Sequence, residues 1–374
     1  MRARDLGISI GLLSPGPLNA ITDVDGVRVG HSTIISGEPG PLVPGEGPVR
    51  TGVTVVVPVE GDPFSEGVFA GAHRLNGNGE LTGLEWIREA GVLAGPIAIT
   101  NTHSVGVVRD AIVAAASRSS ASAESAWSLP VVGETWDGWL NDVDGQHVRA
   151  AHLDEAFEGA TDGPVAEGNV GGGTGMICHR FKGGIGTSSR RLGPEEGGFT
   201  VGALVQANYG RRERLAIDGV PVGRDIGFDE VPSDRDEMAA NPADADAGSI
   251  IVVLATDAPL LPHQCERLAQ RAGLGVARTG GAGEHSSGDL FIAFATGNRG
   301  VATGDRTDGR PFTRELRALE DAWISALFWA AVEATEEAIV NALVAAETMA
   351  GIDGHVAHRL PHDRLTDVWR AHRG

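Results

Sequence analysis

The chain has 374 residues, 30 basic and 50 acidic side chains and 54 glycines. Its length is ample for a buried core, its 41% hydrophobic and 21% charged composition excludes a disordered or fibrous chain, and a net charge of −20 disfavours nucleic acid and anionic lipid as partners. Glycine stands at about double the usual share of roughly 7%, without a collagen period, which points to tight turns and close backbone approaches.

At the N-terminus the apolar residues 8–13 are stopped by Ser14-Pro15-Gly16-Pro17, too short a run for a signal-peptide core. The longest apolar run, residues 326–332, falls far short of a membrane span, so a soluble cytoplasmic protein is expected. Residues 27–31 and 52–58 read as β-branched strands bounded by Gly or Pro. A short strand over 97–100 feeds a helix over about 104–117, in which Val105, Val108, Ile112 and Ala115 share one face. Asn101-Thr102-His103-Ser104 lies on the turn between them. Residues 199–207 form a further strand. The stretch 228–248, with seven acidic residues, two prolines and one arginine, reads as an exposed linker.

Beyond it, residues 250–255 and 290–295 are continuous apolar runs, the mark of central strands covered on both faces. A helix is expected over 262–272. A second helical region is expected from about Thr313, with Leu316, Leu319, Trp323, Leu327 and Ala331 as its apolar stripe and a stop at Gly351. Helices over sheets are the economical architecture.

Four features bear on candidate chemistry. The cluster Gly168-Asn169-Val170-Gly171-Gly172-Gly173-Thr174-Gly175 matches neither GxGxxG nor GxxxxGK[ST]. It resembles the phosphate loop of tubulin-like GTPases, or else lets two backbones pack closely. His355, His358 and His362 have helical spacing, but Gly354 and Pro361 interrupt it and no HExxH occurs, so no metal site is expected. Cys178 and Cys265 belong to no CxxC pair and imply neither a disulfide framework nor zinc. Ser249 follows Gly248 where the acidic linker meets a buried strand. It either ends a loop or, if the Gly248–Ser249 bond is cut, carries a hydroxyl and a free α-amino group on one residue, a nucleophile with its own base. An α-amino pKa of about 8 suits that role.

The segments Gly171-Gly172-Gly173-Thr174-Gly175-Met176, Phe181-Lys182-Gly183-Gly184-Ile185-Gly186-Thr187, Val205-Gln206-Ala207-Asn208-Tyr209-Gly210, Gly248-Ser249-Ile250-Ile251 and Ser287-Gly288-Asp289 resemble, in order, those of the self-processing L-aminopeptidase/D-esterase and β-peptidyl aminopeptidase group. The likeness runs from Ile21-Thr22-Asp23-Val24 to Leu360-Pro361-His362-Asp363-Arg364. It implies an α+β fold, an αββα sandwich forming one peptidase domain, cut into an α-chain of residues 1–248 and a β-chain of residues 249–374. Ser249 is then the nucleophile, Asn208 the oxyanion-hole amide, and Ser287 with Asp289 the pair that orients the Ser249 amine and hydroxyl. Lys182 is a nearby cation that stabilises negative charge, or else pairs with a linker carboxylate. Related nylon-oligomer hydrolases use threonine as the new N-terminal residue, so Ser249 favours the peptidase side over an amide-oligomer hydrolase.

One departure is evident. Where the family places a catalytic tyrosine, within residues 134–142, this chain has Trp136 and Trp139; its only tyrosine is Tyr209. Indole donates one N–H but cannot exchange a proton as phenol does. Glu134 is the candidate for the substrate's free ammonium, with a structural pairing as the alternative. The function implied is a cofactor-free serine aminopeptidase that acts on short peptides, amides or esters as a homo-oligomer of αβ units. The competing reading is a nucleotide-binding protein built on the Gly171–Gly175 loop.

Overall fold

The computed structural model describes residues 1–119, 128–233, 248–302 and 312–373. Two sheets dominate. The smaller has the order β1 (Arg28–Ser36), β2 (Val49–Val57), β5 (Ile97–Asn101), β6 (Val131–Thr135). The larger has the order β4 (Val92–Leu93), β3 (Val68–Gly77), β12 (Ser287–Arg299), β11 (Gly248–Thr256), β10 (Thr200–Asn208), β9 (Gly184–Arg191). A two-stranded hairpin, β7 (Ile177–Cys178) with β8 (Phe181–Lys182), lies just ahead of β9. The main helices are α1 (Val105–Ser119), α2 (Ala150–Glu158), α3 (Pro262–Arg278), α4 (Ile324–Ala345) and α5 (His362–Arg373).

Alternation along the strands sorts their side chains into separate cores. Ile250, Val252 and Leu254 of β11 join a core with α3 and α4, including Leu268, Ala338 and Phe291. Ile251 and Val253 turn the other way, into a core shared with Ile97, Ile99 and Val131 of the smaller sheet. That sheet's far face packs Val53, Val55 and Val57 against Val108 and Ile112 of α1 and Leu153 of α2. Every residue of β11 is buried, as its continuous apolar run predicts.

The same alternation aims the functional side chains. Ser249 shares the inter-sheet face with Ile251, and Asn208, opposite it in the antiparallel β10–β11 register, shares that face with Leu204 and Gln206. Ser287 and Asp289 take the opposite face, that of Ile250 and Phe291, because β11 and β12 run parallel with Ile250 paired to Asp289.

Several elements differ from expectation. The helix after residue 312 starts at Ile324 and ends at Ala345, with a short strand at Met349–Ala350 before Gly351. Only the second half of the stripe forms, with Leu327 and Ala331 buried on this helix, while Leu316 is 46% and Trp323 54% exposed ahead of it. Side chains of other elements hold this segment extended. The Asn298 amide donates to Arg317 O and accepts from Arg317 N, and Gln264 Nε2 donates to Leu319 O. In α1 the buried residue of the last turn is Ala116 rather than Ala115. The expected linker is described only to residue 233, with Val231 buried, and its remainder lies outside the described residues.

Candidate active site

Ser249 is buried at the start of β11. Its Oγ donates to the carbonyl of Gly248 at 2.6 Å and accepts from Gly288 N at 3.2 Å. The hydroxyl thus lies against the carbonyl group of the bond that precedes it. Ser287 Oγ donates to Asp289 Oδ1 at 2.6 Å, as the i, i+2 spacing predicts. Burial pushes the Asp289 carboxyl up to about 6, against hydrogen bonds from Ser287 and the Ile250 N–H and reinforced by the charge of Glu284. This pair lies on the face of the sheet opposite the Ser249 side chain, so it does not touch the hydroxyl.

Asn208 is fixed at both ends of its amide. Oδ1 accepts from Ile177 N at 2.8 Å, and Nδ2 donates to Trp136 O at 2.9 Å. One neighbour can only donate and the other only accept, so the orientation of the amide is determined. Lys182, fully buried, donates from Nζ to Met176 O at 2.8 Å, Gly183 O at 2.9 Å and Gly173 O at 3.3 Å. No carboxylate among the described residues pairs with it. Burial pulls its pKa down to about 7, opposed by Cys178 and Asp137 nearby.

The glycine cluster is a packing device. Gly171 N donates to Thr33 Oγ1, Gly172 N to Thr54 Oγ1, Gly173 N to Val170 O and Thr174 N to Gly171 O, so these four successive donors are already engaged within the protein. All three glycines of the turn are buried, and a Cβ on any of them would strike a neighbouring element. What this loop offers the site is a carbonyl, that of Gly173.

Glu134 sits on β6 and not in a loop. Its carboxylate accepts from Glu80 N at 2.9 Å and from the Thr102 hydroxyl, and it forms no ion pair among the described residues. Burial raises its pKa, against the Thr102 and Glu80 hydrogen bonds. Gly79 separates it from the nucleophile: a Cβ there would lie 3.0 Å from Glu134 Oε1 and 3.2 Å from Gly288 Cα. On the other side of Gly77 and Gly79 opens a cavity of about 380 Å³ lined by Leu81, Leu84, Trp86 and Leu290 with Arg74 and Arg88. Thr102, Gly79 and the Gly288 N–H escaped the sequence reading; only the strand-to-helix turn and the central glycine of Ser287-Gly288-Asp289 hinted at them.

The two tryptophans part company. Trp136, 37% exposed, supplies the carbonyl that holds Asn208. Trp139 stacks on His355 at 3.8 Å between ring centroids and belongs to a small cluster with Leu140, Ile177 and Ala357. Tyr209 is buried on the helix side, its hydroxyl 2.6 Å from Thr279 Oγ1, and so does not replace the missing tyrosine. His355 lies before the short strand Val356–Ala357, and His362 opens α5 with Nε2 on Val344 O, so they share no helix. Among the described residues no group of three His, Cys, Asp or Glu side chains could hold a metal ion.

The sequence matches peptidase family S58 over residues 19–357. The chain belongs to peptidase family S58. It is 48% identical over 376 residues to the β-peptidyl aminopeptidase BapA of Sphingosinicella microcystinivorans, covering 100% of this chain and 92% of that one. Among solved structures, this S58 chain superposes on a β-aminopeptidase from a Burkholderia species with a TM-score of 0.88 and 54% identity, covering 99% of each. It also superposes on the L-aminopeptidase D-Ala-esterase/amidase of Ochrobactrum anthropi with a TM-score of 0.86 and 44% identity, covering 100% of this chain and 99% of that one. That enzyme is described as a prototype serine aminopeptidase and a variant of the Ntn hydrolase fold. The S58 chain is therefore a peptidase of mixed α/β fold, and the nucleotide-binding reading has no support. No helix among the described residues is long and apolar enough to cross a membrane.

Proposed function

We propose that the chain cuts itself between Gly248 and Ser249 and then works as an aminopeptidase with Ser249 as nucleophile. The observation that carries this reading is the Ser249 hydroxyl held 2.6 Å from the Gly248 carbonyl oxygen, with the Asn208 amide opposite it on the same face. In maturation Oγ adds to the Gly248 carbonyl carbon, its proton passes to the Ser249 nitrogen, and the C–N bond breaks to leave an ester. That cleavage frees the Ser249 amine, and water then hydrolyses the ester to give the Gly248 carboxylate and the Ser249 hydroxyl. The product is an α-chain of residues 1–248 and a β-chain of residues 249–374 in one αββα sandwich.

In turnover the amine takes the Ser249 hydroxyl proton as Oγ attacks the substrate carbonyl, then delivers it to the leaving nitrogen; water completes the cycle through the acyl-enzyme. Asn208 Nδ2 stabilises the oxyanion. Asp289, held by Ser287, stabilises the charged amine. Glu134, an anion with neutral donors and no cation partner among the described residues, receives the substrate's ammonium. The N-terminal side chain points past Gly79 into the leucine-lined cavity. The names of the relatives make peptides capped by a β-amino acid the first substrates to try. Cytoplasmic homo-oligomers of αβ units are part of the same reading.

The test is N-terminal sequencing of the purified protein. Two fragments, the smaller beginning Ser-Ile-Ile-Val, support the reading. A single chain that still hydrolyses amino-acid p-nitroanilides overturns it.

A further inference from the structure

We infer that Lys182 is a positioning residue for Asn208, acting through the Met176–Ile177 peptide group and not by its own charge on the reacting atoms. This inference rests on the oxyanion role proposed above for Asn208. The carbonyl that accepts from Lys182 Nζ at 2.8 Å is that of Met176, and the N–H that holds Asn208 Oδ1 at 2.8 Å is that of Ile177. These are the two ends of one planar peptide unit. A cation on the oxygen draws electron density along the amide and strengthens its N–H as a donor, as in any hydrogen-bond chain. Asn208 Oδ1 is thereby anchored, and Nδ2 has one N–H on Trp136 O and a second with no partner among the described residues, beside Ser249 in the β10–β11 register.

The surroundings of Lys182 suit this task and no other in reach. Three carbonyl oxygens surround Nζ, and only an ammonium has three hydrogens to satisfy them. Two belong to glycines. A Cβ on Gly183 would lie 2.8 Å from Cys178 Cβ and one on Gly173 would collide with the Gly184–Ile185 backbone, so a bulkier residue would push these carbonyls out of the cradle. Gly173 and Gly183 thus share a purpose: they let two loops close over one lysine. With every N–H committed to a carbonyl, Lys182 has none left for an oxyanion. Cys178 and Asp137 are the titratable groups that face it.

A double-mutant cycle separates a relay from an independent charge. Processed wild type, Lys182→Met, Asn208→Ala and the double variant are assayed on an amino-acid p-nitroanilide after circular dichroism shows each to be folded. Asn208→Ala should lower kcat by about 10²–10³-fold. Lys182→Met should lower kcat by about tenfold, since one neutral-to-charged hydrogen-bond link is lost, with KM within about twofold. The double variant should match Asn208→Ala alone. A double variant lower than Asn208→Ala by the full Lys182→Met factor overturns the relay, as does a folded Lys182→Met chain that never matures while Asn208→Ala does. If Lys182→Met does not fold, Lys182→Gln, which keeps an N–H for Met176 O without the charge, is taken through the same cycle and judged by the same outcomes. An Asn208→Ala enzyme with unchanged kcat overturns the oxyanion role itself, a distinguishable result.

Discussion

Two fully buried cations bracket β9, and they are treated in opposite ways. Arg190, near its end, meets carboxylates: Nε lies 3.1 Å from Glu333 and Nη2 2.7 Å from Glu337. Glu337 also takes two bonds from Arg4 at 2.8 Å and one from Asn19, while Glu333 accepts from the backbone of Leu12 and Leu13. Burial alone would raise the Glu337 carboxyl, yet hydrogen bonds and charge from Arg4 and Arg190 hold it below its usual range. Lys182, just ahead of the strand, meets only carbonyls, and elsewhere in the candidate site Asp289 and Glu134 meet only hydroxyls and N–H groups. Both arrangements satisfy buried charge, but only the first neutralises it. At the Arg190 end charge is consumed in holding residues before position 248 to residues after it. At the Lys182 end it is kept, and the carboxyl pKa values drift toward neutrality, which suits chemistry.

The sharpest break in the catalytic end is Ser249→Ala, which should leave one uncut chain on a denaturing gel and no measurable peptidase activity; two fragments from that variant would remove Ser249 from its role. At the other end, Arg190→Met leaves two buried carboxylates short of a cation and should cost about 3–5 kcal/mol in urea unfolding. Because Glu337 is held low, the contribution of the pair is fully present above the unfolded carboxyl pKa of about 4.3 and fades as pH falls through the lower folded value. Equal stability of variant and wild type at neutral pH would show that the cluster does not fasten the two segments.

Glu134→Gln should raise KM for substrates with a free ammonium by about tenfold, the worth of one charge-assisted contact, and leave N-acylated substrates no better than before. An unchanged KM would return Glu134 to a structural role. The smallest effect concerns Asp289. In the proposed mechanism its anion stabilises the charged Ser249 amine, so Asp289→Asn should move the acidic limb of kcat/KM to lower pH by less than about one unit, while orientation is partly lost. Since Asp289 holds its proton up to about 6, the shift appears only above that pH. A limb that moves to higher pH would mean the carboxylate does not act on the amine.

Some of this was legible in the residues. The continuous apolar runs of β11 and β12 marked both strands as covered on two faces, and Ser287-Gly288-Asp289 at a strand start placed its two polar side chains together. The first half of the expected stripe, from Leu316 to Trp323, shows where periodicity fails. Its leucines have helical spacing, but Asn298 and Gln264, distant in sequence, bind the backbone of residues 317 and 319 and keep it extended. The glycine cluster was ambiguous for another reason. A phosphate loop and a close backbone crossing both need residues without side chains, and only the partners of the N–H groups distinguish them.

Strands β1, β2, β5, β10, β11 and β12, the nucleophile candidate and the family were legible along the chain, because these are written in local runs and in ordered short motifs, whereas β3, β6 and β9 were not. Which face each side chain takes was decided by tertiary structure: Ser249 and Asn208 between the sheets, Ser287 and Asp289 on the helix side. So was the difference between Arg190 and Lys182. Both are cations in glycine- and serine-rich surroundings along the chain, and neither the carboxylates of α4 nor, apart from that of the adjacent Gly183, the carbonyls around Lys182 are aimed at them until strand pairing and helix packing bring them there. A buried charge takes its meaning from the groups that satisfy it, and those groups come from other elements.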